Sequence, residues 1–390
     1  MENYQIDGVF SFITNRKLFF GKNGIYLLPS IIQEIGNSFL FILSKSFSNS
    51  DTWNNLFRLI NGKGKVFIET VSGEPTVDSI DLIVNKYRER VIDVVIGIGG
   101  GSVIDTAKAV SVMLMEDGSV EEYLEGIATK KPIGIKKFLI AVPTTFGTGS
   151  EATKNAVIGK IGVFKRSLRH DNFVPDIAII DPTLGYDVPV SVRISSGLDA
   201  LTQLIEAYTS LKSNLYSDSL CEKAFYLVGK SFEKVIFNQD PTYDDFSNVA
   251  LASYYSGVCL ANVGLGVVHG FASVIGGMFG IPHGVVCGSL LYPAVLKNLQ
   301  KLIDTDSRFF LEKYSNIGNL IYGKCGGFEE GIERLKLFLE RISSLAKLRK
   351  FSEYGVSERD IDNIVSKTSL KENPVKLDEN DLIEILKQVL

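Results

Sequence analysis

Hydrophobic and polar positions follow two regimes along the chain. In the first, short continuous apolar runs are separated by amphipathic stretches. "SFLFILS" (38–44), "KVFIET" (65–70), "VIDVVIGIG" (91–99), "KKFLIAVPT" (136–144) and "PDIAIIDP" (175–182) read as buried strands. Between them, "DSIDLIVNKYRER" and "VIDTAKAVSVML" carry apolar residues at helical spacing. Strands alternating with helices imply parallel pairing through right-handed crossovers, a Rossmann-like α/β fold. From about residue 190 the second regime is helical throughout, as in "LTQLIEAYTSLK", "LCEKAFYLVGKSFEKVI", "FEEGIERLKLFLERISSLAK" and "LDENDLIEILKQVL". The pattern predicts an α/β dinucleotide-binding domain over 1–185 and an all-α domain over 186–390. "DPTLGYDVPVS" (181–191) is the expected hinge, and a cleft between two such domains is the expected place for a site.

Composition narrows the class without changing this picture. A chain of 390 residues exceeds what one core usually supports. A net charge of −4 with 22% charged residues gives no basic excess, so nucleic acid is not an expected partner. Neither a secretory leader nor a charge-free run of about 18 residues is visible, so no membrane partner and a cytoplasmic location are expected. Cys221, Cys259, Cys287 and Cys325 never form a CxxC pair and read as reduced thiols, buried as small hydrophobes.

Candidate chemistry begins at "VIDVVIGIGGGSVIDTAKAV", which runs from a strand through Gly97, Gly99, Gly100, Gly101 and Ser102 into a helix. Glycines let a backbone approach a phosphate closely, and the amides and dipole at a helix start attract its charge. Such a turn can also simply pack a helix tightly on a sheet. A second loop, "VPTTFGTGSEAT" (142–153), adds Thr144, Thr145, Thr148 and Ser150 as hydroxyl donors. Two loops after neighbouring strands suggest a dinucleotide. The strand "FLFILS" ends in Ser44, Lys45 and Ser46 with no carboxylate before Asp51. A carboxylate there would bind ribose hydroxyls and repel a 2′-phosphate, so NADP is favoured over NAD, with Lys45 at the phosphate.

In the helical half, "GLDALTQLIEAY" (197–208) places Asp199 and Gln203 one turn apart on one helix face. Two of the three histidines, His269 and His283, lie in "GLGVVHGFASVIGGMFGIPHGVVCG" (264–288). One carboxylate and two imidazoles suit Fe²⁺ or Zn²⁺ and leave room for a substrate oxygen. The competing reading is a buried Asp–Gln–His hydrogen-bond network without metal.

"GGGSVIDTAKA", "PTTFGTGSEAT", "IIDPTL", "GLDALTQLIEAY", "VVHGFAS", "IPHGVVCG" and "ENP" (372–374), in this order, resemble the iron-containing (group III) alcohol dehydrogenases over essentially the whole chain. The resemblance implies a dehydroquinate synthase-like two-domain architecture, a divalent metal, and hydride transfer between a nicotinamide cofactor and a small alcohol or aldehyde. It places cofactor contacts on Gly99, Gly100, Gly101, Ser102, Asp105, Thr144, Thr145, Thr148, Asn155, Lys165 and Leu184. It places metal ligands on Asp199, position 203, His269 and His283. Members are often dimers or higher homo-oligomers, and the edge strand preceding "GKNGIYLLPS" offers a surface for pairing across a two-fold axis.

Two departures stand out. Position 203 is histidine in the family and glutamine here. Ser273 replaces a histidine that binds substrate or relays protons in many members. An amide oxygen in place of imidazole favours harder ions such as Mn²⁺ or Mg²⁺, and Ser273, a cofactor ribose or water must then carry the proton. His170 matches no ligand position. The alternatives are a metal-independent reductase on the same fold, a cyclising lyase, and a nucleotide-binding protein without turnover.

Overall fold

The computed structural model describes residues 9–160 and 163–390. It divides into two compact units, one of Ile13–Val188 and one of Pro189–Leu390 that also takes in the described residues before Ile13.

In the first unit the strands β1 (Lys17–Phe20), β2 (Ser38–Ser44), β3 (Lys65–Val71), β4 (Val94–Gly99), β5 (Phe138–Pro143) and β8 (Ile177–Ile180) form one parallel sheet in the order β1-β8-β5-β4-β2-β3. The helices α1 (Leu28–Ile35), α2 (Lys45–Ser48), α3 (Asp51–Ile60), α4 (Val77–Tyr87) and α5 (Gly101–Met113) connect them. β2 shows why the strands read as continuous apolar runs rather than as an alternation. Phe39, Phe41 and Leu43 pack with Ile32, Trp53 and Leu56 on one face, while Leu40 and Ile42 pack with Ile80, Val84, Ala107 and Val110 on the other. A parallel sheet covered on both sides has no polar face.

The order of the strands positions the rim. From β2 the chain moves outward to β3, then returns to the opposite side of β2 for β4, which makes a switch point at the carboxyl ends of β2 and β4. The registers Leu43↔Ile98 and Gly99↔Pro143 bring the ends of β2, β4 and β5 to one edge. Sequence reading did not find the antiparallel hairpin of β6 (Asn155–Lys160) and β7 (Phe164–Arg169). β7, "FKRSLR", has one fully buried residue, Leu168, and so carries no apolar pattern to recognise.

The second unit is helical: α6 (Val190–Tyr208), α7 (Leu215–Ile236), α8 (Tyr243–Val263), α9 (Val267–Phe279), α10 (His283–Asp304), α11 (Arg308–Ile321), α12 (Phe328–Ala346), α13 (Ile361–Lys367) and α14 (Glu379–Lys387). α6 stops at Tyr208, four residues short of the expected helical stretch. Gly264, with φ at +70°, ends α8, and the chain turns by 96° into α9. A Cβ at Gly270 would lie 1.9 Å from the Ser369 carbonyl, so α9 needs glycine to pack there. Among the described residues no single helix is long and apolar enough to cross a membrane.

Candidate active site

In the α/β unit, the start of α5 is the feature that the glycine-rich turn builds. No side chain caps the helix at Gly100, so its first amides are available to an anion. The glycines also serve packing. A Cβ at Gly97 would lie 2.8 Å from that of Ala107 on α5, and one at Gly101 would lie 2.5 Å from the Thr148 hydroxyl. Gly100 faces Thr145 in the same way at 3.2 Å, and the Thr144 amide donates to the Gly99 carbonyl. The two loops singled out in the sequence are therefore one interlocked structure, with Ser102 in the first turn of α5.

A buried lysine holds the second loop. Lys108 is fully buried on α5 and donates to the carbonyls of Ser150 and Asn155 and to the Thr153 hydroxyl at 2.7–3.0 Å. Burial pulls its ammonium down to about 8, and burial pushes Glu151 up to about 7. Asp105 accepts from the Val157 amide at 2.9 Å, and burial raises its pKa. Asp105 Oδ1 and Asn155 Oδ1 are buried without a hydrogen-bond partner, acceptors that a bound donor would satisfy.

Other expected cofactor residues are otherwise engaged. Lys165, on β7, is ion-paired with Glu74 at 2.8 Å, so its ammonium already has a carboxylate partner. Leu184 is half-buried in a 3-10 turn against the core beneath β2. Ser44 caps α2 by accepting from the Phe47 amide, whereas Lys45 is exposed at the end of β2. His170 accepts from the Asn172 amide and packs on Phe173, a local structural role.

In the helical unit, Asp199, His269, His283 and Cys287 turn one donor atom each into a group spanning no more than 4.8 Å. Asp199 comes from α6, His269 from α9, and His283 and Cys287 lie one turn apart on α10. Asp199 Oδ1 is 3.2 Å from His269 Nε2 and 3.7 Å from His283 Nε2. Cys287 Sγ is 3.7 Å from each of those nitrogens. A tetrahedral ion with bonds of about 2.0–2.3 Å keeps its donors about 3.3–3.8 Å apart. The residues present therefore fit a divalent metal.

The charges agree with that geometry. Burial disfavours the Asp199 carboxylate, yet the field of His283 and the hydrogen bond from His269 hold its pKa below the usual range. Burial also opposes charge on His269, but the Cys287 sulfur, the Glu206 carboxylate and the Asp199 hydrogen bond together hold its pKa well above that of free imidazole. Burial pushes the Cys287 thiol up to about 11.

Sequence reading missed two members of this site. Glu206 lies seven residues after Asp199, on the same face of α6. Its carboxylate is 2.6 Å from His269 Nδ1 and accepts the Val268 amide at 2.6 Å. Cys287 reads in the sequence as a small hydrophobe, although His283-x-x-x-Cys287 is the same one-turn spacing as Asp199-x-x-x-Gln203. The Gln203 amide oxygen instead lies 2.8 Å from the Ser256 hydroxyl. Ser273 is exposed and donates to the His269 carbonyl at 2.9 Å. This intrahelical bond engages the hydroxyl proton.

Two family models match the chain: iron-containing alcohol dehydrogenase over residues 15–182, and the C-terminal region of the Fe-containing alcohol dehydrogenase family over residues 193–390. Long-chain-alcohol dehydrogenase 1 of Geobacillus thermodenitrificans is 32% identical over 79% of this chain and 78% of its own length. The NAD-dependent methanol dehydrogenase of Bacillus methanolicus is 29% identical over 79% and 80%. The solved alcohol dehydrogenase from Oenococcus oeni superposes with a TM-score of 0.84 at 25% identity, covering 98% of this chain and 100% of that one. The parallel sheet, the helical unit and these matches agree, and the chain belongs to the iron-containing alcohol dehydrogenase family, oxidoreductases acting on CH–OH donors.

Proposed function

We propose that the protein oxidises a small alcohol, or reduces the corresponding aldehyde, with a nicotinamide cofactor on the α5 rim and a divalent ion held by Asp199, His269 and His283. The observation that carries this reading is the convergence of donor atoms from three helices, all buried except the partly exposed His283. When bound, the ion supplies Lewis acidity to the substrate oxygen and the nicotinamide exchanges hydride with the substrate carbon.

The chain's own residues prepare that chemistry. Glu206 accepts the Nδ1 proton of His269, which leaves Nε2 as the donor facing Asp199. The buried Asp199 carboxylate supplies negative charge where a cation binds. The uncapped start of α5, with Gly99, Gly100, Gly101 and Ser102, would hold the pyrophosphate beside the Thr144–Thr148 loop. Asn155 Oδ1, and Asp105 Oδ1 beside the Lys108 ammonium, are acceptors without a hydrogen bond that the cofactor's hydroxyls would satisfy.

We infer a preference for NADP from the end of β2, where Lys45 is exposed and no carboxylate stands to repel a 2′-phosphate. The same reading includes a cytoplasmic enzyme with reduced cysteines, and a homo-oligomer that pairs through the free edge of β1, where Leu18 and Phe20 are exposed.

Metal analysis of protein purified without chelator, together with paired NADH and NADPH assays on short aldehydes, tests the proposal. An active, metal-free enzyme would sink the metal assignment. Strong NADH preference, with NADPH use indifferent to Lys45→Ala, would sink the cofactor assignment.

A further inference from the structure

We infer that Cys287, and not Gln203, is the fourth protein ligand of the metal, which makes this an Asp–His–His–Cys centre. The inference rests on the metal-binding reading above and goes beyond it by assigning a sulfur donor.

Helix geometry places the sulfur. His283 and Cys287 are at i and i+4 near the start of α10, so their side chains share a face. The sulfur lies at the same 3.7 Å from both imidazole nitrogens, close to the roughly 3.6 Å that a sulfur and a nitrogen keep when bound to one tetrahedral ion. Cys287 is fully buried, with His269 and Asp199 nearly so.

The side-chain oxygen at position 203 faces α8. The Gln203 oxygen and the Ser253 carbonyl both face the hydroxyl of Ser256, at 2.8 and 2.7 Å, inside the contact of α6 with α8. Substituting the sulfur for the family's imidazole keeps four protein donors. It also changes the charge: a thiolate and the Asp199 carboxylate together neutralise a divalent ion, which favours a dry site. The consequence for metal choice is opposite to that expected from Gln203. A thiolate favours zinc, iron and cobalt over magnesium and manganese.

The test is X-ray absorption on the full-length protein loaded with zinc alone, backed by electronic spectra of the cobalt-loaded form. The expected result is one sulfur scatterer at about 2.3 Å beside nitrogen and oxygen donors, with a near-ultraviolet sulfur-to-cobalt charge-transfer band. Both signals vanish in Cys287→Ser and persist in Gln203→Ala. Zinc affinity falls in Cys287→Ser by more than the roughly 100-fold that bounds the loss of an outer partner. A wild-type zinc site with only nitrogen and oxygen donors overturns the inference even if the variant fails to fold, and so does a sulfur signal that survives in Cys287→Ser. Failure of the wild type to take up either ion would instead remove the metal-binding reading itself.

Discussion

Glu206→Gln is the most direct perturbation of the metal centre that leaves every proposed ligand in place. Glu206 uses both carboxylate oxygens: one faces His269 Nδ1 at 2.6 Å, and the other accepts the Val268 amide at 2.6 Å. Glutamine has a single acceptor oxygen. Its NH₂ group must then oppose either the Val268 amide or the Nδ1 proton of His269, in a place where Glu206 and His269 are both buried. Leaving one buried donor unsatisfied costs about 1–3 kcal/mol. If the ring keeps its bond, the loss falls on the protein's stability. If the ring loses it, His269 is no longer held with Nε2 toward the ion, and outer partners of this kind change metal affinity about 10–100-fold, or about 1.4–2.7 kcal/mol. We expect both effects, because the two bonds are equally short and both end on the carboxylate. Zinc titration of the chelated protein against a competing chromophoric chelator reads the affinity, and urea unfolding of the same metal-free protein reads the stability. Wild-type zinc affinity in a variant that is measurably less stable would refute the orienting role and reduce Glu206 to an anchor for the start of α9.

Other outcomes follow from the same contacts. His269 has a folded-state pKa above its unfolded value. In chelator, its contribution is therefore complete below about pH 6.5 and lost as pH rises through the raised value. The stability advantage of wild type over His269→Gln should shrink with rising pH in urea melts, and a growing gap would contradict the assignment. Lys108→Met removes the buried ammonium from three acceptors around the second loop, leaves the Ser150 and Asn155 carbonyls only their longer bonds from Thr153 and strips Asp105 of its buried counter-charge, and should cost about 3–5 kcal/mol by chemical unfolding; a loss below about 1 kcal/mol would show that the loop is held by other contacts. Gly101→Ala would drive a methyl group into Thr148, so nucleotide affinity by calorimetry should fall and recover partly in Gly101→Ala/Thr148→Ser, and unchanged affinity would detach this turn from the cofactor. Ser273→Ala should leave the pH profile of turnover unchanged, because the hydroxyl proton is held within α9; a displaced profile would restore it as a relay.

Much of this was readable in the chain because it depends on local pattern. The runs 38–44 and 91–99 are apolar at every position needed for a two-sided sheet, and β2 and β4 form there with both faces buried. The helical half is legible for the corresponding reason, since a 3.6-residue period survives whatever the helix packs against. The β6–β7 hairpin was not legible, because its second strand is short and polar. Asp199, His269 and His283 could be named from residue type and resemblance, since carboxylates and imidazoles in apolar segments are costly without a partner.

Which atoms meet was decided elsewhere. Gln203 and Cys287 each stand four residues from a candidate ligand, and no local rule separates an amide that turns to Ser256 from a sulfur that turns to two imidazoles. That choice depends on how α6, α8, α9 and α10 pack, and α6 ends at Tyr208 long before α10 begins at His283. Glu206 was invisible for the same reason: its partner, His269, is 63 residues away. Sequence by itself determined the sheet, the helices and the residue types able to hold a cation. Only the packing of those helices determined which donors converge, because convergence depends on distances between side chains far apart in the chain.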